Sequence, residues 1–142
     1  MEGAAESPGL AGTIERLRDA TNEHDIEALV ACFDPRVRSE QPAHPSRDFV
    51  GTDQIRANWS QIFHGVPDIH AELVTSTVDA SRACAEWAWN GTRADGAPFE
   101  MRGVTILTGD GGRIASVRFY MEPVQRDGVE VGTAVQQVVG HS

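Results

Sequence analysis

Asp110-Gly111-Gly112, with the alternating run 113–122 behind it and Pro123 closing that run, constrains the fold more than any other stretch of this chain. Asp-Gly between two β-type runs is a strong hairpin signal, because glycine reaches the left-handed conformations that tight strand turns require. Three more runs of strand length precede it, at 69–78, 83–90 and 99–108. The segments joining them, 79–82, 91–96 and 109–112, are too short to hold a crossover. Successive strands are therefore antiparallel neighbours.

The amino-terminal half reads as helical. Ser7 can cap a helix that Pro8 opens, and Leu10, Ile14 and Leu17 carry it at helical spacing to about Glu23. Asp25 can cap a second helix, in which Ile26, Leu29, Val30 and Phe33 form one apolar stripe and Asp34-Pro35 is the stop. Residues 37–41 read as a short strand entering the 42–48 loop. Gly51-Thr52-Asp53 then starts a third helix, with Ile55, Trp59, Ile62 and Phe63 on one face and Gly65, Pro67 and Asp68 ending it. The order α-α-β-α-β-β-β-β predicts an α+β domain, with three helices packed on one face of a strongly bent antiparallel sheet. Residues 1–9 read as a flexible arm, 10–123 as the single domain and 124–142 as an extension, with faint helical patterning over 133–139.

A chain of 142 residues can bury a core without metal or disulfide staples. Its net charge of −9 lacks the basic patch that nucleic acid or an anionic membrane surface needs, so neither is an expected partner. Cys32 and Cys84 form no CxxC pair and read as buried free thiols. The absence of a long apolar run and of a basic-then-apolar leader points to the cytoplasm. No His, Asp or Glu group has metal-ligand spacing. The glycines at 109–112 join two strands rather than a strand and a helix, so no phosphate loop and no cofactor are expected.

Four motifs carry a family resemblance. They are Asn22-Glu23-His24-Asp25-Ile26-Glu27-Ala28-Leu29 between the first helices, Phe49-Val50-Gly51 before the third, Trp89-Asn90-Gly91-Thr92 closing a strand, and Gly112-Arg113-Ile114 opening the last. In this order they resemble the nuclear transport factor 2-like superfamily and, within it, the SnoaL-like branch of polyketide cyclase and ketosteroid isomerase-like proteins. The resemblance spans 10–123. It implies a cone, its bent sheet wrapped around three helices and one apolar pocket, and a homodimer formed through the sheet. The fold hosts isomerases, cyclases, epoxide hydrolases, dehydratases and proteins without chemistry, so it does not set the reaction. The steroid isomerase pattern would need its base, tyrosine and second acid at Gln41, Leu17 and Val104, none of which supplies the group. The cyclase pattern places its acid at Glu122. The epoxide hydrolase pattern ends the same strand in a carboxylate beside Tyr120 and puts a second acid near Glu86, but Cys84 stands where its arginine would be.

Glu122 is the leading candidate for acid/base work, because an apolar cavity disfavours the charged carboxylate and raises its pKa toward the useful range. His44, in a loop over the cone's mouth, Glu86 and Tyr120 are its expected helpers; Glu86 has Arg102 as an alternative ion-pair partner. Trp59, Phe63, Trp87, Trp89, Arg102, Val117, Phe119 and Met121 are the expected pocket wall, while His24 reads as solvated. One difficulty is parity. Ala115, Val117, Phe119 and Met121 form the apolar face of the last strand, which turns Glu122 away from the cone unless a bulge shifts the register. The residues favour an enzyme performing cyclisation, isomerisation, dehydration or hydrolysis on a small apolar molecule. The alternative is a non-catalytic binding or dimeric interaction module on the same scaffold.

Overall fold

The computed structural model describes residues 9–140; the arm and cap expected at 1–8 lie outside them. Helices α1 (Leu10–Glu23) and α2 (Ile26–Val30) lead into strand β1 (Phe33–Glu40), a 3-10 turn at Pro45–Arg47 and the short strand β2 (Phe49–Val50). Helix α3 (Thr52–Gly65) precedes four long strands: β3 (His70–Asp79), β4 (Arg82–Thr92), β5 (Pro98–Asp110) and β6 (Arg113–Pro123). Helix α4 (Val131–Val139) follows, capped by Glu130, whose carboxylate accepts the Thr133 N–H at 2.6 Å. The six strands form one curled sheet in the order β2-β1-β6-β5-β4-β3, and the domain is an α+β cone. No helix among the described residues is long and apolar enough to cross a membrane.

The β3–β6 meander is antiparallel throughout, as the short turns require. The all-antiparallel expectation fails at one edge: β1 joins β6 in parallel. A chain excursion of α3 and four strands, β2 to β5, separates the two, so no turn dictates their direction. Asp34-Pro35 also acts differently from the reading above. Helix α2 ends at Val30, and the proline sits inside β1 where the pairing with β6 shifts between Phe33 and Arg38. A proline at such an irregularity costs no ladder hydrogen bond.

Helix α1 is pinned to the sheet at both ends. Near its start, Thr13 Oγ1 donates to the Gly112 carbonyl at 2.7 Å, in the β5–β6 turn. Near its end, Asn22 imitates a neighbouring strand: its Oδ1 accepts the Ala71 N–H at 2.6 Å and its Nδ2 donates to the Ala71 carbonyl at 3.0 Å. His24 then closes the helix in a left-handed conformation, φ 55°. It is not solvated as expected: its ring stacks on Phe63 at 5.0 Å and its Nε2 lies 3.1 Å from the Ile69 carbonyl. Between the pins, Ile14 packs with Leu29, Val37, Leu107 and Ile114, all fully buried.

Two points of close approach shape the sheet. Gly103 pairs with Trp87 on one side and Met121 on the other; a Cβ there would lie 2.1 Å from the Tyr120 carbonyl oxygen and 2.6 Å from Met121 Cα. At the other, Gly91 admits the α3–β3 connection, whose Asp68 accepts the Thr92 N–H at 2.7 Å.

We expect Gly103→Ala to cost about 2–3 kcal/mol in urea unfolding, since the obstructing atoms are backbone and cannot rotate away. A second expectation concerns acid. The Thr92 N–H holds the Asp68 carboxyl below its ordinary 3.8. A carboxyl lowered by folding stabilises the native state above that ordinary value and loses the contribution as pH falls through its folded value. Acid titration of stability should therefore be shallower in Asp68→Asn, which keeps the acceptor oxygen but does not titrate.

Candidate functional site

The concave sheet is wider than the helices that cover it. Helix α3 buries only Ile55; Trp59, Ile62 and Phe63 on the same side stay partly accessible, because most of that side faces a cavity of about 800 Å³. Leu17 and Thr21 of α1, Ser39 and Gln41 around the end of β1, and Ile55, Asn58, Trp59, Gln61 and Ile62 of α3 line one side. Trp87 and Trp89 of β4, Phe99, Thr105 and Leu107 of β5, and Val117 and Phe119 of β6 form the other. Phe33, Phe49, Gly65 and Val66, with Arg93, Ala94 and Asp95 of the β4–β5 turn, complete the lining.

A chain of aromatic contacts frames this space. Phe63 meets Trp59 at 5.7 Å, Trp59 meets Trp89 edge-on at 5.2 Å, and Trp89 meets Phe119 at 5.9 Å. Such tilted and edge-on pairs place positive ring edges on negative faces and contribute about 0.5–1.5 kcal/mol each beyond their burial. Trp59–Trp89 is the pair that joins α3 to the sheet.

The polar lining is sparse and mostly engaged. Thr21 Oγ1 donates to its own helix at the Leu17 carbonyl, 2.8 Å. Gln41 Oε1 accepts from Arg47 at 3.2 Å, and Asn58 Oδ1 accepts from Gln54 at 2.8 Å. Trp87 Nε1 donates to Thr105 Oγ1 at 3.0 Å in a buried bond. The charged lining residues are Arg93 and Asp95, which pair at 3.1 Å and lie mostly in solvent. The Ala97 N–H, and then Arg93, hold the Asp95 carboxyl below its ordinary range. The interior thus presents aromatic faces, hydroxyls and amides, groups suited to holding a molecule. Among the described residues no three His, Cys, Asp or Glu side chains converge on a metal position.

Of the expected wall, Trp59, Trp87, Trp89, Val117 and Phe119 line the cavity. Phe63 stands beside it, stacked between His24 and Trp59. Met121 faces inward but belongs to the solid core, 2 % exposed. Arg102 lies on the outer face, donating to the Trp89 and Met101 carbonyls and to Asn90 Oδ1, and does not pair with Glu86.

The four acid/base candidates all lie outside the cavity. The β5–β6 pairing runs in step from Met101–Pro123 to Thr108–Ser116 and shifts only beyond Thr108, so no bulge turns Glu122 inward. Its side chain is 60 % exposed, and its Oε2 lies 3.2 Å from His44 Nε2. Glu86 and Tyr120 are exposed on the same outer face, both opposite Val104. The expected position of Glu122 inside an apolar pocket is therefore corrected by strand parity, and its contact with His44 lies outside the cone. Ser39 and Thr105 escaped the sequence reading. Their signal was parity: each shares the inward face of its strand with a buried aliphatic, Val37 and Leu107.

The sequence pattern of the SnoaL-like domain matches residues 14–117, more than half of the chain. None of the curated proteins matches significantly. Among solved structures, a candidate SnoaL-like polyketide cyclase from Jannaschia sp. CCS1 superposes with a TM-score of 0.67 at 19 % identity, covering 79 % of this chain and 84 % of that one. A Catenulispora acidiphila DSM 44928 protein with a ketosteroid isomerase-like fold, in complex with trimethylamine, gives 0.66 at 17 % identity over 76 % and 84 %. A Mycobacterium tuberculosis protein in complex with estradiol-17beta-hemisuccinate gives 0.67 at 15 % identity over 78 % and 92 %. At these identities the structures share the fold. The matched domain together with the curled sheet and its cone places this chain in the SnoaL-like family.

Proposed function

We propose that this protein binds a small, largely apolar molecule between α3 and the curled sheet. The observation that carries the reading is the cavity: about 800 Å³, walled by Trp59, Trp87, Trp89, Phe99 and Phe119, with its charge confined to the exposed Arg93–Asp95 pair. Sites for small ligands occupy this size range and combine apolar walls with a few placed polar groups. The organic molecules recorded with two neighbours of the same fold support it further. The chain's three tryptophans all line the cavity, so their emission reports occupancy.

A second reading has one specific observation in its favour, the His44–Glu122 contact. A carboxylate beside an imidazole orients the ring for proton transfer. In this protein the pair lies on the outer face, so its substrate would meet the sheet rather than enter the cone. One experiment separates the readings. Titration with an apolar naphthalene probe should perturb tryptophan emission, Leu17→Trp should weaken binding at least about tenfold by filling the cavity, and Glu122→Gln should bind like wild type. Probe binding that survives Leu17→Trp but is lost in Glu122→Gln would transfer the function to the outer face.

We further propose that the outer face of the sheet is covered by a second copy of the chain. Val104 and Ile106 stand there half-buried with no helix of the described residues over them, and Tyr120 is 41 % exposed beside them. Contiguous apolar surface of this kind marks an interface, and a two-fold dimer is the commonest way to cover it. Sedimentation at micromolar concentration should give twice the 15.4 kDa chain mass, with Tyr120→Glu shifting the protein to monomer.

A further inference from the structure

Thr105 and Trp87 face the cavity from the adjacent strands β5 and β4, one ladder step apart along the diagonal, since Trp87 pairs with Gly103. They are 7 % and 3 % exposed, and the indole N–H donates to Thr105 Oγ1 at 3.0 Å. An indole nitrogen can only donate, so the threonine oxygen is committed as an acceptor in this pair. Its own hydrogen has no acceptor among the described residues. A buried donor left unpaired costs more than a spare lone pair, and the indole bond polarises the hydroxyl toward donation. The β-branched side chain adds rigidity, because few rotamers are open to it in a strand.

Ser39 offers a useful contrast. It too is buried in the lining, two strands away across β6, but no donor among the described residues holds its oxygen, so its hydroxyl can turn to give or to receive. It therefore does not discriminate between ligand donors and acceptors. Thr105 does.

We propose that Thr105, held by Trp87, is a specificity-determining hydrogen-bond donor, and that the cavity selects apolar molecules carrying an acceptor oxygen such as a ketone or quinone carbonyl. The assignment rests on the pocket reading above and adds the polar chemistry of the ligand. A fixed donor without an acceptor of its own penalises a pure hydrocarbon, which strands it, and a ligand that brings only an N–H leaves the same donor unpaired.

Three flat tricyclic probes of nearly equal shape test this by equilibrium dialysis: fluorene with no polar group, 9-fluorenone with an acceptor only, and carbazole with a donor. Wild type should bind fluorenone about tenfold more tightly than fluorene, despite fluorene being the more hydrophobic, and more tightly than carbazole, which leaves the Thr105 donor unpaired. Thr105→Ser should keep the fluorenone preference and Thr105→Val should lose it. Trp87→Phe, which removes the indole N–H but leaves Thr105 in place, should lower the preference several-fold and provides the test if the valine variant does not fold. Equal binding of fluorene and fluorenone by wild type, or a preference that survives Thr105→Val, would overturn the role of Thr105 while leaving the pocket reading intact. Failure of all three probes to bind would overturn the pocket reading and this inference together.

Discussion

A curled sheet encloses more space than three short helices can fill, and the rest of this structure follows from how that shortfall is handled. The sheet's tightest approach is at Gly103, where strand backbones come closer than any side chain allows. Inside the curl, α1 is fastened directly to the sheet through Thr13 and Asn22. Helix α3 stands off instead, propped by the edge of Trp59 against Trp89. Close packing would normally eliminate such a void, because each unfilled surface forfeits dispersion contacts. Here the rim of large aromatics keeps it open, and the apolar stripe of α3 is left half-covered as a result.

The same geometry sorts the charges. Strand alternation assigns every second residue of β4, β5 and β6 to the concave side, and those positions hold Trp87, Trp89, Thr105, Leu107, Val117 and Phe119. The other parity holds Glu86, Arg102, Arg118, Tyr120 and Glu122, which face outward. Burying an unpaired carboxylate in the cone would incur a desolvation cost that nothing in the lining offsets. Ion pairs accordingly sit at the surface: Arg126 with Glu100, Arg118 with Glu40, and Arg56 with Glu27, whose carboxyl the hydrogen bond from Arg56 holds below its ordinary range. Pairs so exposed contribute little to stability. Their role in the argument is negative, since they leave the interior to hydroxyls, amides and aromatic faces.

An interior of that kind underlies the proposal that the cone binds a ligand. Its strongest polar feature is a relay of two side chains, Trp87 to Thr105, in which each group's hydrogen-bonding role is set by the one before it. In the role proposed for it, a hydroxyl so constrained would distinguish ligands by a single atom, in a cavity whose remaining walls are largely apolar. The His44–Glu122 contact lies across the sheet from it, on the face where a second copy of the chain is proposed to sit.

By itself the sequence determined the helices, the four-strand meander and the face to which each strand residue belongs, because these follow from turn chemistry and from the two-residue and 3.6-residue periods of the chain. The parity that turns Glu122 outward was legible for this reason, as was the inward aromatic set. What stands opposite what was not. The parallel addition of β1 to β6, the division of inward residues between cavity and solid core that separates Phe119 from Met121, and the meeting of His44 with Glu122 across 78 residues were decided by tertiary structure alone. So was the pairing of Trp87 with Thr105. Local periodicity tells a side chain which way to face, but the partner it meets depends on register and curvature, which only the closed sheet possesses.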